Sequence, residues 1–219
     1  MLRNSLQEVE ERIARACGRC GRQRGDITLV AVTKVFPAEV ILEAHELGIR
    51  HFGENYVQEF VGKAPIVAGL PDATFHLIGH LQSNKSGKAA ELFQVVQTVD
   101  SAKLARRFNE TGKTLDVMIE VKLSPEETKH GAPPSEIPAL VDAIRTCPNL
   151  RLHGLMTMPP WSDDPEPTRP YFRRLRELSD QNGLSALSMG MSHDFEVAIE
   201  EGATHIRVGT ALFGSRRKA

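Results

Sequence analysis

The chain has 219 residues, 25% of them charged and 41% hydrophobic, the make-up of one compact folded domain over 1–219 and not of a disordered or fibrous protein. Its 27 Lys and Arg against 28 Asp and Glu leave a net charge of -1, so no cationic field exists to hold a nucleic-acid backbone, and nucleic acid is not an expected partner. Three cysteines cannot all pair, MLRNSLQEVEER carries no signal-peptide core, and no apolar run nears the roughly 18 residues of a membrane span, so a reducing, cytoplasmic location away from membranes is expected.

Leu2, Leu6, Val9, Ile13 and Ala16 recur at three- and four-residue steps, so an amphipathic helix opens the chain and ends between Gly18 and Gly21. Residues 27–33 (ITLVAVT) are β-branched and apolar, the pattern of a short strand covered on both faces. A helix over 37–47 follows, then a strand over 50–52 and a helix starting near Asn55. Further strands are predicted at 74–78, 95–99, 115–121, 152–156, 186–189 and 205–208, separated by helices or turns. The Pro- and Asp-rich stretch 159–170 reads as a surface loop that opens a helix. Eight strands alternating with helices imply right-handed βαβ units and a parallel sheet. In one domain they predict an α/β fold, a single (β/α)8 TIM-type barrel with an extra N-terminal helix. An open doubly wound sheet is the alternative, but no G-x-G-x-x-G follows the first strand to support a dinucleotide site.

In such a barrel the chemistry lies at the carboxyl ends of the strands. Those ends are polar here: Thr33 and Lys34, then Gly53, Glu54 and Asn55, then Gly79 and His80. Later strands lead into Asp100, Lys122, Thr157 and Met158, then Gly190, Met191 and Ser192, and finally Gly209 and Thr210. Barrels commonly hold a phosphate after strands seven and eight. There Ser192 is placed to cap the helix carrying Phe195, Ala198 and Ile199, and Gly209 and Thr210 let backbone come close. A simple cap and a tight turn explain each feature alone; together they point to an anion.

Lys34 ends an apolar strand, where partial desolvation lowers an amine's pKa and frees it to attack an aldehyde; the plainer alternative is a lysine reaching solvent. A phosphorylated aldehyde held as a Schiff base fits both features, and pyridoxal 5'-phosphate is the commonest such cofactor. Alternation along 205–208 turns His205 and Arg207 inward and Ile206 and Val208 toward the helices. Arg207 is then in reach of the pyridine nitrogen, the alternative being a structural ion pair with Glu120, which shares a face with Met118 and Lys122. An Arg there leaves the nitrogen unprotonated and the ring a weaker electron sink, which limits carbanion chemistry.

The segments LVAVTK (29–34), HFGENYVQE (51–59), FHLIGHLQSNK (75–85), EETKHG (126–131), LHGLMTM (152–158) and LSMGMSHDFEVAIEEGATHIRVGTALFG (187–214) resemble the YggS/PROSC family of pyridoxal phosphate homeostasis proteins nearly end to end. That family's fold is similar to the barrel domain of bacterial alanine racemase. The resemblance implies that Lys34 is the Schiff-base lysine, that Asn55 and Met191 lie beside the cofactor, that Ser192, Gly209 and Thr210 hold its phosphate, and that Arg207 faces the ring nitrogen. It further implies a non-catalytic role in vitamin B6 homeostasis, holding pyridoxal 5'-phosphate and delivering it to apo PLP-dependent enzymes. Lys122 stands where family members often carry Asn. Fully amphipathic outer helices suit a monomer.

A PLP-dependent amino-acid racemase is the second reading. It needs an acid or base on each face of the substrate α-carbon, one of them, in the alanine racemases, a Tyr supplied with a second domain. The tyrosines here are Tyr56 and Tyr171, and Tyr56 follows Asn55 at the mouth. A phosphosugar-type barrel enzyme using Lys34 without a cofactor is the third. No metal is expected: Cys17 and Cys20 have zinc-like spacing but no second half, and His76 and His80 straddle a strand end without sharing a face. Lys129, in the loop after strand five, is a candidate second acceptor for the aldehyde, and the terminal SRRKA reads as a frayed basic tail.

Overall fold

The computed structural model describes residues 1–126 and 130–214. The opening helix, α1 (Leu2–Cys20), buries Leu2, Val9, Ile13 and Ala16 of the stripe read from the sequence, with its fifth member, Leu6, half-buried. Strands and helices then alternate: β1 (Thr28–Val32), α2 (Ala38–Glu46), β2 (His51–Glu54), α3 (Val57–Val67), β3 (Thr74–Leu77), α4 (Ser86–Leu92), β4 (Val95–Val99) and α5 (Ala102–Asn109). The second half runs β5 (Leu115–Glu120), α6 (Ile137–Arg145), β6 (Leu150–Met156), α7 (Arg169–Gln181), β7 (Ala186–Met191), α8 (Phe195–Glu200), β8 (His205–Val208) and α9 (Thr210–Phe213). Each strand pairs in parallel with its sequence neighbours, and β8 pairs with β1 to close the barrel. The fold is therefore the α/β TIM-type barrel with an added N-terminal helix that the alternation predicts. Among the described residues no helix is long and apolar enough to cross a membrane.

All eight predicted strands are present, with some ends displaced. β2 continues to Glu54 because Gly53 and Glu54 pair with His76 and Leu77 of β3. β7 continues to Met191, which pairs with Arg207 across a register shift; in sequence the glycine at 190 hides this by reading as a strand end.

Alternation along the strands builds two cores. Leu29, Phe52, Leu77, Ile119, Leu187 and Ile206 join the apolar layer between sheet and helices, each such side chain contributing about 1.5–3 kcal/mol of burial. Inside the barrel, Val30, Met118 and Met156 share the space with buried His76, Gln97, Ser188 and Arg207. These polar groups form one hydrogen-bonded chain. Arg207 Nη1 donates to Ser188 Oγ (2.7 Å), Ser188 donates to Gln97 Oε1 (2.6 Å), Gln97 Nε2 meets His76 Nδ1 (2.9 Å), and His76 Nε2 meets His51 Nδ1 (3.0 Å). Burial pushes the His76 and His51 imidazoles below their ordinary pKa, and that of His205 to about 4, so these three imidazoles are neutral at physiological pH, and every member of the chain has a partner.

One close approach in the wall tolerates only glycine. A Cβ on Gly154 of β6 would stand 1.8 Å from the carbonyl oxygen of Ala186, its partner on β7. Gly154→Ala therefore forces β6 and β7 apart, with an expected loss of about 2–3 kcal/mol. A urea-denaturation midpoint unchanged from the parent protein would contradict this.

Candidate functional site

A cavity of about 310 Å³ opens at the carboxyl ends of the strands. Its wall includes Lys34 after β1, Asn55 after β2, Met158 and Trp161 after β6, Met191, Ser192 and His193 at the end of β7, Arg207 on β8, and Gly209 and Thr210 beyond it. All seven residues singled out in the sequence, Lys34, Asn55, Met191, Ser192, Arg207, Gly209 and Thr210, meet in this one space. A larger cavity of about 470 Å³ lies at the opposite end, beside α1, but its charged Glu10 and Arg24 are bonded to each other at 2.6 and 2.8 Å. The converging polar groups are in the smaller one.

Lys34 sits in a turn closed by the Phe36 N–H donating to the Thr33 carbonyl (3.1 Å). The next residue, Val35, has φ 62, a left-handed backbone that turns usually reserve for Gly or Asn and that costs an L-residue roughly 1–2 kcal/mol. Beneath the turn lies a charged cluster. Lys63 of α3, 7% exposed, donates to both Glu54 carboxylate oxygens (2.9 and 3.1 Å), to Glu59 Oε1 (2.6 Å) and to the Thr33 carbonyl (2.9 Å). Thr33 Oγ1 donates to Glu54 Oε1 (2.7 Å), and the Val35 N–H donates to Glu59 Oε1 (2.6 Å). Burial raises the Glu54 carboxyl above its ordinary pKa, against the pull of Lys63.

Asn55 reaches the cavity because the segment just after β3 carries no side chain at Gly79. A Cβ there would stand 2.2 Å from the Asn55 carbonyl oxygen, so only glycine lets the turn after β2 fold over β3.

Arg207 forms the inner wall. Only 3% exposed, it donates from Nη1 to Ser188 and from Nη2 to the Thr157 carbonyl (2.9 Å), leaving others of its five N–H donors for the cavity. Desolvation lowers its pKa to about 10, with Asp194 and Glu120 opposing the shift, so it remains a cation at neutral pH. The Glu120 partnership weighed from the sequence is thus present as a charge contribution, alongside hydrogen bonds made to neutral groups. His205 and Arg207 face inward, and Ile206 and Val208 lie in the outer apolar layer, as alternation predicts.

The corner at Ser192, Gly209 and Thr210, where an anion is expected, is built differently from the expectation. Asp194 stands at the N-cap position of α8 but makes no side-chain bond to that helix; its Oδ1 accepts the Met191 N–H at 2.7 Å. Ser192 does not cap the helix that follows it. Its Oγ accepts the N–H groups of Gly209 (3.2 Å) and Ala211 (3.1 Å), tying the end of β7 to the start of α9. The cause is the closed barrel, which sets β7 beside β8 and makes that N-terminus nearer to the hydroxyl than its own helix. From outside, Arg12 of α1 donates to the Ser192 carbonyl (3.2 Å) and covers the Phe195 ring at 4.2 Å.

Trp161 and His193 escaped the sequence reading. Their rings lie 4.9 Å apart on the rim. Trp161, the sole tryptophan of the chain, stands in the 159–170 loop, and an aromatic in an otherwise polar loop was the available signal. Tyr56 is 59% exposed, precedes α3 and is outside the cavity wall. Lys122 is half-buried at the end of β5, its backbone N–H donating to the Ala132 carbonyl at 2.9 Å. Lys129 and residues 215–219 lie outside the described residues. Cys17 and Cys20 are free thiols bonded to carbonyls of Gln23 and Ala16, and no group of three metal-ligating side chains occurs among the described residues.

The profile of the alanine racemase N-terminal domain family matches residues 5–217. A pyridoxal phosphate homeostasis protein of Pseudomonas aeruginosa is 46% identical over 218 residues, covering 97% of this chain and 94% of that one. Among solved structures, PipY of Synechococcus elongatus with PLP bound superposes with a TM-score of 0.82 at 39% identity, covering 94% of this chain and 100% of its own. An alanine racemase of Clostridium difficile superposes at 0.74 with 16% identity over 57% of its length, a likeness of fold alone.

Proposed function

Because the chain belongs to the family of pyridoxal phosphate homeostasis proteins built on the alanine racemase N-terminal barrel, we propose that it holds pyridoxal 5'-phosphate covalently on Lys34 and hands it to apo PLP-dependent enzymes without catalysing a reaction. The observation that carries this reading is the convergence on one 310 Å³ cavity of an amine, a buried guanidinium and a hydroxyl-plus-glycine corner. Those three features fit the aldehyde, the ring nitrogen and the phosphate ester of this cofactor.

When bound, the cofactor supplies an aldehyde that condenses reversibly with a primary amine. Lys34 presents that amine. Ser192, Gly209 and Thr210 hold the phosphate end, with Ser192 fixing the two segments to each other, and Asn55 and Met191 flank the ring. Arg207 donates toward the ring nitrogen and, with a pKa near 10, gives up no proton at neutral pH. That arrangement supports storage over carbanion chemistry. The racemase reading requires a second acid or base across the α-carbon, and the position of Tyr56 outside the described cavity wall favours the carrier.

The test is the visible spectrum of the purified protein mixed with pyridoxal 5'-phosphate, then borohydride reduction and peptide mapping. A yellow band and a reduced adduct on the peptide bearing Lys34, without α-proton exchange on amino acids, is the expected result. Exchange at enzymatic rates would replace the carrier by a racemase. Neither band nor adduct would remove both readings.

A further inference from the structure

Lys34 is flanked by two backbone groups that the buried cluster holds. On one side Lys63 donates to the Thr33 carbonyl at 2.9 Å; on the other the Val35 N–H donates to Glu59 at 2.6 Å, and Lys63 links Glu59 to Glu54. Just past the second tether Val35 keeps φ 62, a conformation that a β-branched residue abandons when nothing compels it. Relaxation of that one dihedral to negative φ rotates against each other the two peptide planes that meet at Val35, the first of which carries Lys34. Val35 is 53% exposed, so its own side-chain packing does not impose the conformation; the bonds that restrain the backbone around it are those of the Val35 N–H to Glu59 and of the Phe36 N–H to the Thr33 carbonyl.

We propose that Glu59 and Lys63 are positioning residues that hold the Lys34 turn in its left-handed form and so aim the amine at the bound aldehyde. The inference rests on Lys34 being the attachment residue. In the step affected, the neutral Lys34 nitrogen bonds to the aldehyde carbon, and the carbonyl oxygen leaves as water with the two amine protons. Glu59 and Lys63 exchange no atoms in it. Their contribution is to the fraction of turns poised to react.

The test compares Glu59→Ala, Glu59→Gln and the double variant Val35→Gly with Glu59→Ala. Adduct formation on Lys34 is followed by borohydride quenching and mass spectrometry after mixing with pyridoxal 5'-phosphate. Pyridoxine 5'-phosphate, which lacks the aldehyde, reports on the phosphate and ring contacts separately. Glu59 is partly exposed, so these variants keep the barrel, and melting temperatures check this. Glu59→Ala is expected to slow adduct formation about tenfold, the ratio that one left-handed residue is worth, with pyridoxine 5'-phosphate affinity unchanged. Glu59→Gln keeps an acceptor oxygen for the Val35 N–H and is expected to remain within about twofold of the parent rate. Glycine adopts the left-handed backbone unaided, so the double variant should recover most of the loss. A parent-like rate in Glu59→Ala, a Gln variant as slow as the Ala variant, or no recovery with glycine overturns the inference while the cofactor reading stands. Absence of any adduct on Lys34 in the parent protein overturns both.

Discussion

Lys34→Ala is expected to abolish the reducible cofactor adduct while leaving affinity for pyridoxine 5'-phosphate within about threefold of the parent value. Lys34 is the one lysine in the described wall of the cavity, and the Ser192–Gly209–Thr210 corner and the Arg207 wall are built from other strands, so on the proposed reading removing the amine deletes the covalent bond and leaves that corner and that wall in place. The substitution also leaves the turn intact, because Thr33 and Val35 are held through backbone groups by Lys63 and Glu59. The far-ultraviolet circular dichroism and the melting transition of the apo protein should therefore match the parent. An adduct persisting at parent levels on another peptide, for example one bearing Lys122 or Lys129, would show that Lys34 is the wrong residue.

Arg207→Met is expected to cost the apo protein about 3–5 kcal/mol, the usual consequence of removing one member of a buried charged group. The guanidinium is the cation facing the buried Asp194 and Glu120 carboxylates, and it satisfies Ser188 Oγ and the Thr157 carbonyl. Methionine fills the volume but offers neither charge nor donors. The loss depends on pH with a definite sign. Burial already raises the Asp194 carboxyl, and the Arg207 charge opposes the rise. Without that charge its folded-state pKa climbs further above the unfolded value. A carboxyl so raised destabilises the fold where it must be ionised, and the penalty is relieved as pH falls through the folded pKa. The gap between variant and parent should therefore be widest at neutral pH and narrow in mild acid. Urea denaturation across that range measures it; a gap that is constant or widens in acid would contradict the charge argument.

The barrel was legible because each strand is a short apolar run between turn residues, and because eight such runs admit few closures. The cavity residues were legible for a related reason. Once the fold is a barrel, strand ends such as Lys34, Met191 and Gly209 must face one mouth whatever their distance in sequence. Two things were not legible. Glu59 and Lys63 stand four residues apart on α3 and read as an ordinary solvent-facing pair; only closure of β1 on β2 brings Thr33 and Glu54 beneath them. Ser192 likewise reads as the cap of the helix that follows it, since nothing local announces that the start of α9, seventeen residues on, will lie nearer. Both misses arise where an interaction is decided by which strands become neighbours and not by the spacing along one element.

The chain of side chains from Arg207 down to His51 fills the barrel interior. Among the described residues the cavity is in consequence closed at its floor and opens at the strand-end mouth. On the proposed carrier reading, a fresh molecule would not displace a held one from behind, and an acceptor would have to stand at the same threshold across which the cargo leaves. Handover would then be an ordered, face-to-face event, whose pace is governed by what occupies that threshold.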